Sequence, residues 1–462
     1  MKTLSLAIRN LLRNRRRSIT TLLAMIIGAH AVLLFGGYTR NITYGLQTDY
    51  VKYGGHLQIE RAGYYKFGSG DPAAYGIANY GEIIDALKSD AVLAPMVLVV
   101  TPTLQLQGIA GNFRQGVSRT ALALGVLVND QNRMRAWNDY HFPVTVPQLA
   151  LTGTETDAAI VGTGLARVLQ LCGPLQVRDC APRTNPNTDA SPDLPADVAQ
   201  LAHAMQAAPS SAGPHPAIEL LAATARGAPN VAELRIVRAE QQGIKEYDDM
   251  YVGLHLVQAQ RLVYGSDQPK VTAIVVQLKH TADLPAAKAR IEQLLATKFK
   301  GEETEVVDYT ILNPFYGQAL AMFATLFGFI ALLIAAIVLF TVGNTMSMAV
   351  FERTVEIGTL RAMGLRREGV RRLFLCEGLL LGLCGASLGV LSAAALAAII
   401  NHSGLTWTPP GRSPVPLIIR VWGENDLIAG TAIGLLLVSM LSALFPARRA
   451  SRMNIVDALR YA

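Results

Sequence analysis

Four long apolar segments dominate the pattern of this chain. They are unbroken by Lys or Arg and run over 19–37, 319–342, 378–400 and 427–445. A helix needs about 20 apolar residues to cross a bilayer, so each segment is long enough. We therefore predict four transmembrane helices. A cleaved signal peptide is the alternative for the first segment, since Ala29-His30-Ala31 has some similarity to a cleavage site. The apolar run continues to Phe35, which is longer than a usual signal-peptide core and favours a retained span.

A shorter apolar pattern precedes the first span. Leu4, Ala7, Ile8, Leu11 and Leu12 recur at helical spacing, with basic residues between them. This spacing predicts an amphipathic helix that lies in the membrane plane before the chain turns into the bilayer. The alternative is a simple extension of the first span.

The region 39–315 between the first two spans has a mixed pattern. It predicts strands at 56–61, 97–107 and 271–280, and helices at 81–88 and 285–299. The stretch 181–229 is rich in Ala, Pro and Ser and is expected to be an insertion, with a mobile first part and short helices at 197–207 and 217–224. A partner-docking arm is the alternative for this insertion. The fold class expected is an α-helical membrane protein with four transmembrane helices and a large extracytoplasmic α+β domain between helices 1 and 2.

The distribution of charge predicts the orientation. Sixteen Lys and Arg residues flank the spans on one side: six before the first span, six between the second and third, and four after the fourth. Positive residues mark the cytoplasmic side, so both termini are expected in the cytoplasm and the large domain on the other side of the membrane. Segment 39–315 has 23 Lys and Arg against 27 Asp and Glu, so the overall net charge of +7 belongs to the membrane flanks. A basic pI here indicates contact with anionic lipid and argues against nucleic-acid binding.

Few residues in the sequence are candidates for a catalytic or ligand-binding site. No phosphate-binding G-x-x-x-x-G-K-[ST] loop and no Cys/His metal spacing occur, so we expect no catalytic, cofactor-binding or metal site in this chain. Cys172 and Cys180 are candidates for a disulfide in an oxidising compartment, and the sequence leaves open whether they pair. Cys376 and Cys384 lie too far apart along one helix to bridge. His30 lies inside a span, where a neutral ring that bonds within the bundle is favoured over a functional role.

Glycines recur along two of the spans. They predict smooth ridges where another helix can approach closely, within a tight bundle or a dimer. The residues are Gly378, Gly382, Gly385 and Gly389 in the third span, and Gly430 and Gly434 in the fourth.

The loop between the second and third spans carries the sharpest signal, "FERTVEIGTLRAMGLRREGVRRLFLCEG". A short charged helix between two spans is suited to contact a partner, although a surface loop obeying the positive-inside rule would share its composition. The segment closely resembles the signature of the MacB/FtsX/LolC-type ABC transporter permeases, through 352–364, Glu377, Gly378 and Gly385. The tail "FPARRASRMNIVDALRYA" is similar to that family's ending, with Asn454-Ile455 where a proline is usual nearby. The start "LAIRNLLRNRRRSITTLLA" is also similar, whereas 90–230 resembles the family only weakly.

The resemblance implies a permease subunit without its own ATPase, with a MacB-like periplasmic domain. It implies as partners two copies of a separate ABC ATPase that binds the ATP, a second permease copy or a paralogue, and membrane lipid, with a periplasmic adaptor or a lipoprotein as a further candidate. The loop helix is then expected to couple to the ATPase through Glu352, Arg353, Glu356, Ile357, Gly358, Arg361 and Gly364. The expected outcome is mechanical transmission to the periplasmic domain for export or lipoprotein release. The alternative is a non-transporting mechanotransducer that regulates an extracytoplasmic enzyme, and a receptor or scaffold without any ATPase is a third.

The expected division of the chain follows from these patterns. It is 1–38 for the amphipathic helix and first span, 39–315 for the outer domain, 316–345 for the second span, 346–372 for the coupling loop, 373–400 for the third span, 401–426 for a short outer loop, and 427–462 for the fourth span and basic tail.

Overall fold

The computed structural model describes residues 2–68, 70–142, 146–178, 180, 215–243, 245–407 and 415–460. They form two compact units. The helical unit contains the described residues up to Leu46 and from Phe315 onward, and the α/β unit contains Gln47–Pro314. The predicted helix at 197–207, and 181–214 as a whole, lie outside the described residues.

The helices, in chain order, are α1 (Lys2–Arg13), α2 (Arg15–Gly54), α3 (Tyr64–Phe67), α4 (Tyr80–Ser89), α5 (Val128–Arg135), α6 (Thr163–Val168), α7 (Cys172–Leu175), α8 (Lys245–Asp248), α9 (Leu256–Tyr264), α10 (Leu284–Lys298), α11 (Tyr309–Leu312), α12 (Pro314–Glu352), α13 (Thr354–Ala362), α14 (Arg367–His402), α15 (Asn425–Arg452) and α16 (Ile455–Arg460). Short 3-10 turns occur at Pro72–Tyr75, Phe113–Gln115 and Thr281–Asp283.

The strands are β1 (Leu57–Arg61), β2 (Val97–Asn112), β3 (Val117–Val126), β4 (Ala158–Gly162), β5 (Ala217–Ala223), β6 (Pro229–Glu240), β7 (Tyr251–His255), β8 (Ala273–Leu278), β9 (Thr304–Asp308), β10 (Thr406–Trp407) and β11 (Val415–Pro416).

Four helices of the described residues are long and apolar enough to cross a membrane, and they are α2, α12, α14 and α15. The predicted spans therefore fall on four helices, each longer than its apolar stretch. Helix α2 continues to Gly54, well beyond the expected end of the first segment at 38. Helix α15 continues through Pro446 to Arg452.

The helical unit packs around small and apolar side chains. One core cluster joins Met25 and Ala29 of α2, Val338 and Val342 of α12, and Phe374 of α14 to residues of α15. Near the other end of α2, the Arg40 guanidinium forms ion pairs with Glu424 and Asp426 at the start of α15.

The α/β unit is organised by the long strand β2. Its first half pairs antiparallel with β8, and its second half pairs with β3 on one side and β5 on the other. The pairings β2–β3–β7–β4–β6–β5–β2 close six strands into a ring, and β8, β1 and β9 extend the sheet. Helices α4 and α9 pack on β2. All six residues of β8 are buried, as expected for its β-branched run.

Most sequence-predicted elements of this unit are confirmed: β1, β2, β8, α4 and α10 each cover the expected positions within a few residues. The helix predicted at 217–224 is wrong, because these residues form β5. Ile218, Leu220 and Ala222 are buried while their neighbours face outward, which is the period of a strand. Pairing with β6 and β2 overrides the helix propensity of this Ala-rich stretch.

Cys172 and Cys180 lie on either side of a short turn in the α/β unit. Their Cα atoms are 6.3 Å apart and the two residues form a disulfide. Cys376 and Cys384 are free. His30 bonds within its own helix, where its Nδ1 lies 2.7 Å from the Ile26 carbonyl oxygen. Among the described residues, no group of His, Cys, Asp and Glu is arranged to hold a metal ion.

Candidate functional site

The segment between α12 and α14 folds into one short helix with defined ends. The backbone breaks at Arg353 and the Thr354 hydroxyl donates to the carbonyl of Phe351 at 2.8 Å, which closes the preceding turn. Gly364 ends the segment with a φ of +96°, a conformation that glycine adopts without steric cost. The Leu365 amide then donates to the Leu360 carbonyl at 3.0 Å. The expected coupling helix at 352–364 is therefore α13, Thr354–Ala362.

A buried ion pair fixes the start of α13 to α14. The Arg353 guanidinium donates to Glu377 Oε1 at 2.9 Å, and the two residues are only 8% and 3% exposed. Asn10 of α1 donates to the same oxygen at 2.7 Å. Arg353 also lies 5.9 Å from the ring centroid of Phe374 and donates to Glu356 at 3.1 Å. Three elements, α1, α13 and α14, thus meet at one carboxylate.

Two further ion pairs connect the beginning of the chain to this segment. Arg13 donates to Glu356 Oε1 at 2.6 Å, and Arg17 pairs with Glu352. Burial raises the pKa of Glu356, but the hydrogen bonds from Arg13 and Arg353 outweigh it, so this pKa lies below its ordinary value. The Arg13–Glu356 pair is about half exposed, and such pairs contribute up to about 1 kcal/mol. These exposed ion pairs therefore position α1 against α13 and α2 against the end of α12, and they add little to the free energy of unfolding.

The opposite end of α13 rests on the tail of the chain. Arg361 donates to the carbonyl of Met453, and α13 packs against α16. Ile357 and Gly358 are buried on this inner side. Arg353, Ile357 and Gly358 therefore position α13 from within and lie away from its exposed face. The coupling of the seven signature residues to an ATPase stays a prediction.

The outer side of α13 is apolar and exposed. Val355 is 44% exposed and Met363 is 72% exposed, and Leu365 follows them in the turn. Val355, Thr359 and Met363 are spaced by four residues and form one stripe. Sequence reasoning did not single these residues out. Their signal was present, since the apolar residues Val355 and Met363 are eight positions apart and lie on the side of the helix away from Ile357.

The glycines of α14 bring its neighbours close. A Cβ on Gly378 would lie 2.7 Å from the Ala443 Cβ of α15, and one on Gly389 would lie 2.5 Å from the Ala29 Cβ of α2. Gly382 meets Ser439 of α15. Gly385 meets Met25 of α2 in the same way. Ser439 also donates to the Gly378 carbonyl at 2.8 Å. These four glycines therefore hold α2, α14 and α15 together.

Gly430 and Gly434 behave differently. A Cβ at either position would meet no described atom within 4 Å. The expectation that they pack closely is therefore not met within this chain. They line a groove of about 330 Å³ between α2, α12 and α15, together with Phe327 and Ile334.

The match to a known protein family lies within the helical unit. Residues 326–455, from α12 to the start of α16, match the family described as FtsX-like permease C-terminal. An uncharacterized ABC transporter permease of Methanocaldococcus jannaschii is 27% identical over 235 residues, which cover 49% of this chain and 55% of the relative. The lipoprotein-releasing system transmembrane protein LolC of Neisseria meningitidis is 27% identical over 243 residues, 50% of this chain and 56% of the relative.

A third relative has a longer chain. The macrolide export ATP-binding/permease protein MacB of Shewanella sp. is 27% identical over 189 residues, which cover 41% of this chain and 27% of that protein. The chain thus spans about half the length of the first two relatives and about a quarter of the third. The matched region contains α13, the Arg353–Glu377 pair and the glycines of α14. Residues 326–455 therefore form an FtsX-like permease C-terminal domain, and the chain is similar to the MacB/FtsX/LolC-type ABC transporter permeases.

Proposed function

We propose that this chain is the permease subunit of an ABC transporter and that a separate ATPase subunit docks on the exposed face of α13. The observation that carries the proposal is the two-sided construction of this helix. Its inner side is anchored by a buried ion pair, and its outer side exposes Val355 and Met363. An apolar stripe within a basic surface is suited to a protein interface, because its apolar centre is removed from water on binding.

The orientation of the chain supports this docking. The ends of the four long helices that carry the sixteen flanking Lys and Arg residues are the ends next to α1, α13 and α16. By the positive-inside rule these ends face the cytoplasm of a bacterial inner membrane, where ATP is available. The α/β unit then faces the periplasm. ATP is bound by two copies of the partner subunit, and a second permease copy or a paralogue completes the assembly.

Mechanical transmission is the proposed mechanism. Closure of the ATPase subunits displaces α13, and the displacement reaches α14 because the Arg353–Glu377 pair cannot separate cheaply in a buried environment. The glycine contacts pass it on to α2 and α15. Helix α2 continues without a break into the α/β unit. The resulting movement of the α/β unit serves export or lipoprotein release, by analogy with the macrolide export protein MacB and the lipoprotein-releasing protein LolC.

The test is co-purification from the native membrane in mild detergent, read by mass spectrometry. Wild-type protein is expected to carry an ABC ATPase in stoichiometric amount, and Val355→Arg and Met363→Glu are expected to lose it. Val92→Arg is the matched control, since Val92 is exposed to a similar extent in the α/β unit. Wild-type protein that carries no ATPase in several detergents would refute the proposed function, and loss of the ATPase in the control as well would refute the docking site.

A further inference from the structure

Helix α1 has two faces with different environments. Ala7 is fully buried against α14, and Leu11 packs against the core that contains Phe374. Ile8 and Leu12, one position further along the helix than Ala7 and Leu11, flank this buried face and are 44% and 61% exposed. The apolar pattern of the sequence is therefore divided: one half of it packs inside the helical unit, and the other half is uncovered.

The charged residues of α1 and of the start of α2 are all positive. Arg9 and Arg13 lie between the apolar residues, and Arg15 and Arg16 follow directly. The first 48 residues contain no Asp or Glu, since Asp49 is the first acidic residue of the chain. Arg13 and Arg17 pair with Glu356 and Glu352, whereas Arg9, Arg15 and Arg16 form no ion pair with a described residue. An apolar surface beside these unpaired arginines is complementary to the headgroup region of an anionic bilayer.

The position of α1 in the chain selects the bilayer as the occupant. Only Asn14 separates α1 from α2, and the apolar stretch of α2 begins at Ile19. Helix α1 therefore ends within about two turns of the point where the chain enters the hydrocarbon. A helix tethered this close to a span reaches lipid headgroups without any further cost of association.

The inner face of α1 contacts the candidate functional site directly. Asn10 and Arg353 both donate to Glu377 Oε1, at 2.7 Å and 2.9 Å. Arg13 holds Glu356 in addition. A displacement of α1 must therefore change the hydrogen bonding of the same carboxylate that anchors α13.

We infer that α1 binds anionic phospholipid through Ile8, Leu12 and the arginines around them, and that this binding sets the position of α13 through Asn10 and Glu377. The lipid contact stands independently, whereas the effect on coupling rests on the proposed function. Anionic lipid then favours the α1 position in which Glu377 receives both hydrogen bonds, and lipid composition regulates ATP-driven activity.

The first experiment measures the lipid contact alone. The full-length protein is placed in nanodiscs of phosphatidylcholine, with or without phosphatidylglycerol, and hydrogen exchange of residues 2–13 is followed by mass spectrometry. Phosphatidylglycerol is expected to slow the exchange. Each arginine near an anionic surface raises the equilibrium constant for docking on the bilayer about fivefold. The double variant Arg9→Gln/Arg16→Gln should therefore lower this constant for α1 about 25-fold and reduce the slowing of exchange. Arg371→Gln/Arg372→Gln, which removes the same charge from α14, should leave the exchange of α1 unchanged.

The second experiment measures ATP turnover of the complex with its ATPase in the same nanodiscs. Wild-type turnover is expected to respond to phosphatidylglycerol. Asn10→Ala should keep the lipid-dependent protection of α1 and lose this response, a combination that a purely structural defect would not produce.

The outcomes separate the parts of the inference. Equal exchange of α1 in both lipids would overturn the lipid site. Slowed exchange with an unaltered response in Asn10→Ala would overturn the role of Asn10 and Glu377. If α1 is protected only when the ATPase is present, whichever lipid is used, then the ATPase covers the face with Ile8 and Leu12. That outcome would overturn the inference. Failure to recover any ATPase would refute the proposed function and leave the hydrogen-exchange result standing.

Discussion

Removal of one partner from the Arg353–Glu377 pair tests how the loop helix is held. In Arg353→Met the Glu377 carboxylate stays buried with Asn10 as its only remaining donor among the described residues. Leaving a buried charge unpaired costs about 3–5 kcal/mol. Glu377→Leu should cost less, about 1–3 kcal/mol, because Arg353 keeps Glu356 and the Phe374 ring.

The double variant Arg353→Met/Glu377→Leu separates pairing from packing. Apolar replacement of a buried ion pair is often neutral, so we expect a free energy of unfolding within about 2 kcal/mol of wild type. Because the two single costs sum to about 4–8 kcal/mol, the coupling energy should be at least about 2 kcal/mol. The assay is SDS-induced unfolding in mixed micelles, followed by the loss of helical circular dichroism. Single costs that add within about 0.5 kcal/mol would refute the reasoning, because independent residues do not form a buried pair.

Three other measurements address separate features. Burial, with a smaller contribution from Glu305, raises the pKa of Glu60 to about 7 from 4.5. The unfolded chain therefore releases this proton at lower pH than the folded chain, and the free energy of unfolding falls by up to about 3 kcal/mol as the pH rises between these two values. Glu60→Gln should reduce the difference in melting temperature between pH 5 and pH 8, measured by calorimetry, and an unchanged difference contradicts the assignment. Gly389→Ala should lower the free energy of unfolding by about 1–3 kcal/mol in the same SDS assay, because its Cβ would lie 2.5 Å from the Ala29 Cβ. Gly430→Ala should leave it unchanged, because its Cβ would meet no described atom within 4 Å. Equal effects of the two variants would argue against the α2–α14 contact. Non-reducing peptide mapping should find Cys172 linked to Cys180, and two free thiols there would exclude the disulfide.

The sequence by itself determined the features that depend on local composition. The four spans follow from the number of apolar residues that a bilayer requires, and each falls on a long helix of the structure. The glycines of α14 were identified by their spacing, because residues three or four apart must share a helix face. The loop signature and the tail identified the family, and the matched region 326–455 contains both the loop and the start of that tail.

Other features depend on which surface packs against which, and sequence periodicity carries no information about that. The pattern at 217–224 fits a helix or a strand, and only pairing with β2 and β6 decides for β5. Gly430 and Gly389 look alike in sequence, yet of these two only Gly389 would place a Cβ within 4 Å of a described atom.

The same holds at the candidate site. The charged signature suggested an outward-facing surface, whereas Arg353 is turned inward because Glu377, 24 positions further on, supplies a buried carboxylate. The apolar stripe of α1 is divided between α14 and solvent for a similar reason, since Glu377 also receives the Asn10 amide. The sequence determined that these side chains lie on short helices, and the tertiary contacts of one buried carboxylate decided which way each helix faces.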